Sequence, residues 1–282
     1  MNRYLAFAVG LLNVLITMPL IACTGIFAAH GDLVLAGNNE DWRNPESKMW
    51  FIPAEGGQYG RVCFGFDNFI CQGGMNDQGL FYDGFATQPL PVTGSKDKER
   101  YAGRLEDKAL AECATVDEVL QLFDRYNLEG MSRSMLFFAD RAGNSVIIEG
   151  DEVIRKSGSY QVVTNFHQSA RSGESPCPRY KTAVDMFARN PEISIDLFRR
   201  ILAATHLEGS TPTQYSNIYD LKNGILYLYH FHNFQNEVVV NLKAELAKGA
   251  HSYDLPSMFP RSYAAEAFRL AKLNEMQQRK AA

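Results

Sequence analysis

From Cys23 onward the chain switches between two hydrophobic periods, and each switch marks a new set of elements. Cys23–His30 reads as strand-like text and runs into the turn signal Gly31-Asp32. Leu33–Ala36 then resumes, so the two predict a hairpin. Further strand-like runs are Lys48–Pro53, Arg61–Asp67, Asn68–Gln72 and, after the turn Asn76-Asp-Gln-Gly79, Leu80–Ala86. Near residue 103 the period becomes helical. Leu105–Cys113 and Val116–Tyr126 carry apolar residues at helical spacing, with Thr115 as the expected N-cap of the second. Strand texture returns at Met135–Phe138, Ser145–Glu149, Val153–Lys156 and Tyr160–Thr164, with Arg141-Ala-Gly-Asn144 turning the first pair. A second helix pair, Arg179–Arg189 and Ile195–Thr205, precedes strands at Gln214–Asp220, Ile225–His230 and Glu237–Asn241. Leu221-Lys-Asn-Gly224 turns the first two of these, and Tyr263–Arg279 predicts a terminal helix.

Hairpin-joined strands in blocks, alternating with paired helices, predict antiparallel sheets with helices on their outer faces, an α+β fold. A doubly wound nucleotide fold is not expected, because no Gly-rich phosphate fingerprint follows a strand.

Composition changes the picture at the N-terminus. Arg3 is followed by Leu5–Leu20, a charge-free apolar run, and Pro19 and Ala22 sit where a processing site belongs. Residues 1–22 are therefore expected to be a signal peptide. The run is short for a membrane span and is interrupted by Asn13, Thr17 and Pro19. Residues 23–282 contain no linker, repeat or low-complexity tract and are expected to form one domain, exported to the periplasm or secreted. The formal charge is -4, mildly acidic, and no Lys/Arg cluster offers a phosphate-tracking stripe. Nucleic acid is thus not an expected partner. Five cysteines follow the signal: Cys23, Cys63, Cys71, Cys113 and Cys177. An odd count points to one thiol with another job, and the remaining four could pair or pack. No Cys/His spacing indicates zinc. His230 and His232 alternate with Tyr227, Tyr229 and Phe231, which suits an aromatic half-buried strand better than a metal pair. No metal and no cofactor is expected.

The chemistry concentrates on Cys23. Cleavage between Ala22 and Cys23 gives one residue both a thiol and a free α-amine, with pKa values of about 8.5 and 8. The amine can take the thiol proton directly or through one water, so nucleophile and base need no separate histidine. A hairpin brings Asp41, in Leu35-Ala-Gly-Asn-Asn-Glu-Asp-Trp42, back beside Cys23, where its carboxylate could hold an α-ammonium. Asn165 ends an apolar strand, from which a side-chain amide can donate to a developing oxyanion. Arg179 opens a helix, and His167 is placed to touch substrate or cap a loop. Should the amine not be the base, His30 and His167 are the next candidates. The aromatic runs Trp50-Phe51, Phe64–Phe69 and Phe81–Phe85 could line an acyl pocket or fill a core.

Six ordered blocks carry a resemblance. They are Cys23-Thr-Gly-Ile, Gly37-Asn-Asn-Glu-Asp-Trp42, Gly74-Met-Asn-Asp-Gln-Gly-Leu80, Thr164-Asn165, Pro178-Arg-Tyr180 and Tyr215-Ser-Asn-Ile-Tyr-Asp220. Together they are similar to the linear-amide hydrolases, the N-terminal-nucleophile family that includes choloylglycine hydrolases and penicillin V acylases and is related to isopenicillin acyltransferases. The resemblance implies a four-layer αββα fold with two stacked antiparallel sheets. It implies Cys23 as nucleophile through its own amine, Asp41 against that amine, Asn165 in the oxyanion hole and Arg179 in the site. Asn38 stands where the bile-salt branch commonly carries arginine in Arg-Asn-x-Asp, so bile-salt or penicillin V specificity is not implied. No asparagine near Ala86 supplies that branch's second oxyanion donor, and Asp83 is the local candidate in its place. Asn38, Asp83 and His167 are the expected substrate-side residues. The expected partner is a small-molecule amide, and a homo-oligomer stays open.

Two alternatives use the same residues differently. One is acyl transfer to another amine in place of water. The other starts from Leu20-Ile-Ala-Cys23, which also resembles a lipobox: a lipidated Cys23 would make the chain a membrane-anchored envelope binding protein. A lipoprotein usually places a flexible tether after its cysteine, whereas strand text starts here at once.

Overall fold

The computed structural model describes residues 23–170, 173 and 175–281; the expected signal peptide lies outside the described residues. Fourteen strands among them form two antiparallel sheets. The first six are β1 (Thr24–His30), β2 (Leu33–Asp41), β3 (Ser47–Ile52), β4 (Arg61–Phe66), β5 (Gly73–Asn76) and β6 (Phe81–Ala86). After them come β7 (Ser134–Ala139), β8 (Ser145–Glu149), β9 (Glu152–Arg155) and β10 (Tyr160–Thr164). The last four are β11 (Thr213–Asp220), β12 (Ile225–His230), β13 (Asn233–Asn241) and β14 (His251–Asp254). One sheet has the order β10-β1-β2-β11-β12-β13, and the other β14-β3-β4-β5-β6-β7-β8-β9. The helices are α1 (Leu105–Glu112), α2 (Val116–Phe123), α3 (Pro178–Arg189), α4 (Ile195–Thr205), α5 (Leu242–Leu246) and α6 (Tyr263–Ala281).

Two-residue alternation sorts side chains into layers. On β1, Phe27 joins the core between the sheets, while Ile26 and Ala28 face the layer of α3 and α4. On β7, Met135 and Phe137 point into the same inter-sheet core, while Leu136 and Phe138 face α1 and α2. The result is helix, sheet, sheet, helix: the four-layer αββα arrangement that the resemblance implied. Thr115 caps α2 through a full capping box with Glu118.

The fold departs from the sequence reading in one informative place. Asn68–Gln72 is not a strand; Phe69 there has φ +52° and is half exposed. The strand is instead Gly73–Asn76, whose two leading glycines give no strand signal. Gly74 is required by close packing, since a Cβ there would lie 2.2 Å from the Val62 carbonyl oxygen. Two short elements, α5 and β14, have too few residues to show a period.

Gly25, inside the Cys-Thr-Gly-Ile block, is a second close approach. A Cβ would lie 2.6 Å from the ring of Phe85 and 3.1 Å from that of Phe137. Gly25→Ala is therefore expected to destabilise the chain by about 1–3 kcal/mol, the usual cost of overpacking. Urea denaturation checks this, and an unchanged midpoint would contradict it.

Candidate active site

The hairpin β1–β2 and the neighbouring strands β10 and β11 bring one end of each strand to Cys23. Thr24 pairs with Asn39 of β2 and with Thr164 of β10. One residue back along β1, this register sets Cys23 opposite both Glu40 and Asn165. Asp41 pairs with Thr213 of β11. The alternation of β1 turns the Cys23 side chain into the inter-sheet core, where it is 2 % exposed, and turns Thr24 toward α3.

Arg179, in the first turn of α3, ties these strand ends together. Its Nη1 donates to the carbonyl oxygen of Cys23 at 2.6 Å and to Thr24 Oγ1 at 2.8 Å; its Nη2 donates to Asn165 Oδ1 at 3.4 Å. The same Nη1 lies 3.8 Å from Asp41 Oδ2. Asn165 Nδ2 donates to the Ala86 carbonyl at 2.9 Å, which commits one of its two protons and leaves the other. Thr213 Oγ1 donates to Asp41 Oδ1, while Asp41 Oδ2 is buried with no hydrogen-bond partner. Cys23, Asp41, Asn165 and Arg179, four residues expected from the sequence, thus converge.

Beneath them, on the inter-sheet face, lies a buried acidic cluster. Asn38 Nδ2 donates across the sheets to Asp83 Oδ1 at 3.2 Å. Asn38 and Asp83 are buried together with Glu40, so they shape the floor of the site and are not an exposed substrate contact. The groups around them explain the electrostatics. Burial pushes the Cys23 thiol up, and the charges of Glu40, Asp41 and Asp83 push it further; the Asp41 backbone N–H donating to sulfur opposes them. Burial pushes Glu40 up to about 8, with the Asp41 charge adding to it. Burial also pushes Asp41 up to about 8, against the Thr213 hydroxyl and Arg179, which pull it down. Asp83 rises through burial first and the Glu40 charge second. So many carboxyls around one thiol suit a cation in their midst.

A pH dependence follows. The folded pKa of Glu40 lies above its unfolded value of about 4.3, so the folded chain holds this proton more tightly. That contribution is fully present below about pH 4 and is lost as pH rises through about 8. Glu40→Gln, which mimics the protonated form, should therefore gain stability relative to its parent between pH 5 and 8. The comparison uses chains whose Cys23 nitrogen is in a peptide bond, with urea midpoints measured across that range. A constant difference would contradict the shifted proton on Glu40.

Other sequence candidates sit elsewhere. His167 Nε2 lies 2.8 Å from the Gln88 carbonyl, and its Nδ1 lies 3.9 Å from Glu149 Oε2. It fastens the loop after β10 to the larger sheet. His30 is exposed at the far end of β1, seven residues from Cys23 and roughly 23 Å away at 3.3 Å per residue. Phe51, Phe64, Phe66, Phe81 and Phe85 belong to the inter-sheet core, so packing absorbs the aromatic runs. Cys63, Cys71 and Cys113 are buried together under α1 and α2, and all five thiols are free. His230 and His232 do not form a pair. His230 is buried and stacks on Phe259 with centroids 5.7 Å apart, whereas His232 falls in the turn after β12.

Glu40, Thr213 and Thr24 were not singled out by the sequence. Glu40 stands inside one of the six blocks, but only the strand register shows it opposite Cys23. A cleft of about 590 Å³ opens beside Trp42, the residue after Asp41; Arg43, Asn44, Asp67, Thr211 and Lys272 also line it, and Cys23 does not. No helix among the described residues is long and apolar enough to cross a membrane.

No protein-family model matches the sequence, and no curated protein matches it. Solved structures do. A variant of the conjugated bile acid hydrolase from Clostridium perfringens aligns with TM-score 0.64 and 19% identity, over 82% of this chain and 96% of the other. Penicillin V acylase from Agrobacterium tumefaciens aligns with TM-score 0.53 and 12% identity, over 86% and 98%. The N-acylethanolamine-hydrolyzing acid amidase ortholog of Caenorhabditis elegans aligns with TM-score 0.51 and 15% identity, over 71% and 93%. At such identities the likeness speaks for the fold alone: this chain shares with these three structures the two stacked antiparallel sheets flanked by helices.

Proposed function

We propose that the chain, once it begins at Cys23, hydrolyses a non-peptide linear amide through a thioester on that cysteine. The observation that carries this reading is the Arg179 clamp, which holds Cys23 and Asn165 side by side with the Asp41 carboxyl next to them. A free α-ammonium on Cys23 would sit among carboxyls whose oxygens lack partners, Asp41 Oδ2 and Glu40 Oε2. Such a cation would favour their charged forms and offset their burial.

The α-amine takes the thiol proton, and Sγ attacks the amide carbonyl carbon. The oxygen becomes an oxyanion that accepts from the uncommitted Asn165 N–H and from backbone N–H groups. The C–N bond breaks as the leaving nitrogen takes the proton from the α-ammonium. Water then gives a proton to the same amine, attacks the thioester and releases the acid, with the thiol restored. Acyl transfer uses the same steps with an amine in place of water, and adding a competing amine and looking for a new amide separates the two.

The anchored alternative has less support. β1 starts at the residue after Cys23, which leaves no flexible stretch to serve as a tether. Intact mass of the protein from its membrane fraction decides: a diacylglyceryl increment on Cys23 would overturn the hydrolase.

Released amine from a small panel of amides tests the activity itself: N-acyl amino acids, acyl-homoserine lactones, phenoxyacyl penams and bile conjugates. With the best of them, Asn165→Ala is expected to lower kcat by about 100-fold or more, the scale for one lost oxyanion donor. A loss below tenfold would remove Asn165 from that role.

A further inference from the structure

Outside the Cys23 cluster, two segments bring His206, Glu208 and His232 together. His206 directly follows α4, Glu208 lies in the loop from α4 to β11, and His232 lies in the Phe231-His232 turn between β12 and β13. One ligating atom from each lies within 4.8 Å of the others. The two imidazole rings stack with centroids 5.1 Å apart.

Two features distinguish this trio from a chance surface grouping. His206 Nδ1 lies 2.6 Å from the Ala203 carbonyl oxygen, which can only accept, so Nδ1 carries the proton. In the neutral ring Nε2 then presents a lone pair, and 3.3 Å away is Glu208 Oε1, also an acceptor. Two acceptors that close call for a cation between them. Their separation equals the roughly 3.3 Å edge of a tetrahedron of ligands at about 2.0–2.1 Å. A backbone carbonyl on the other ring nitrogen is the usual orienting partner of a metal-bound histidine. The second feature is backbone strain. Phe231 and His232 have φ +48° and +49°, the left-handed region that a two-residue hairpin turn normally fills with Asn-Gly. A bulky ring held there points to a task for the side chain.

The geometry points to a binding site for a divalent first-row transition ion, Zn²⁺, held by His206, Glu208 and His232 with a fourth position open. Two imidazoles and one carboxylate are a zinc donor set, whereas Ca²⁺ and Mg²⁺ prefer oxygen alone. This departs from the sequence expectation of no metal, because His232 lies 24 residues beyond Glu208 and only the fold joins the two segments. The site also braces the active-site cluster. Leu207, between two of the ligands, donates its N–H to Thr213 Oγ1 at 2.8 Å, and that hydroxyl donates to Asp41.

The test is calorimetric titration of chelator-stripped protein with Zn²⁺ alone, in a Cys23→Ala background that removes the competing terminal thiol. One ion per chain is expected. His232→Asn removes a ligand while placing at φ +49° a residue that accepts it, and it should weaken binding at least tenfold. In chelator this variant should unfold at a temperature no lower than its parent, which shows that the turn survives. His30→Asn, on an exposed histidine elsewhere, should bind as the parent does. Absence of saturable binding would overturn the site. Equal affinity in His232→Asn would overturn it as well.

Discussion

Cys23→Ala loses amide turnover by on the order of 10⁴-fold or more, as expected when a nucleophile that works as a unit with its base is deleted. The variant keeps its fold. Cys23 contributes one sulfur to a core filled by Phe27, Phe64, Phe81, Phe85 and Phe137, so its loss leaves the sheets paired and most of the packing in place. Circular dichroism and the urea midpoint separate the chemical loss from a structural one. Cys23→Ser also falls to background, because a hydroxyl is far harder than a thiol to deprotonate with an amine of pKa about 8. Full activity in Cys23→Ala would remove the cysteine from the mechanism.

The second large effect concerns the nitrogen of the same residue. A chain with an uncleavable extension before Cys23 should turn over about 100- to 10,000-fold more slowly than one that begins at Cys23, the usual scale for a lost general base. In the extended chain that nitrogen is an amide with no usable basicity. No histidine replaces it: His30 lies exposed at the other end of β1, and His167 is engaged with the Gln88 carbonyl. The carboxyls next to the thiol push its pKa up, so they do not activate it in the absence of a cation. Cytoplasmic expression of a chain that starts Met-Cys23, with the methionine removed, should restore the rate, since the chemistry does not require export. Equal rates in the extended and trimmed forms would assign the base to another group.

Much of the site was legible because it rests on local pattern. Strand-like text in Cys23–His30 and Leu33–Ala36, with the turn signal Gly31-Asp32 between, gives the hairpin, and a hairpin returns Asp41 to Cys23. Asn165 could be placed for the same reason, at the end of a strand with a clear period. Contacts that depend on how the sheets stack were not legible. Asn38 meets Asp83 across the two sheets, 45 residues apart, and nothing in either strand announces the partner. Thr213 binds Asp41 across 172 residues. The glycines of β5 give no strand signal, yet Gly74 is there because the neighbouring strand leaves no space for a Cβ. The aromatic runs were ambiguous because a sandwich core and an acyl pocket draw on the same side chains, and burial resolved them in favour of the core.

The central claim is that the acyl group passes through the Cys23 sulfur of a chain whose α-amine is free. Acid quenching of the trimmed enzyme during turnover, followed by peptide mass analysis, tests it most directly. One acyl increment on the N-terminal Cys23 peptide is expected, released by hydroxylamine as a thioester and missing from the extended chain. Turnover with the Cys23 peptide always unmodified, or with the acyl group on another residue, would contradict it.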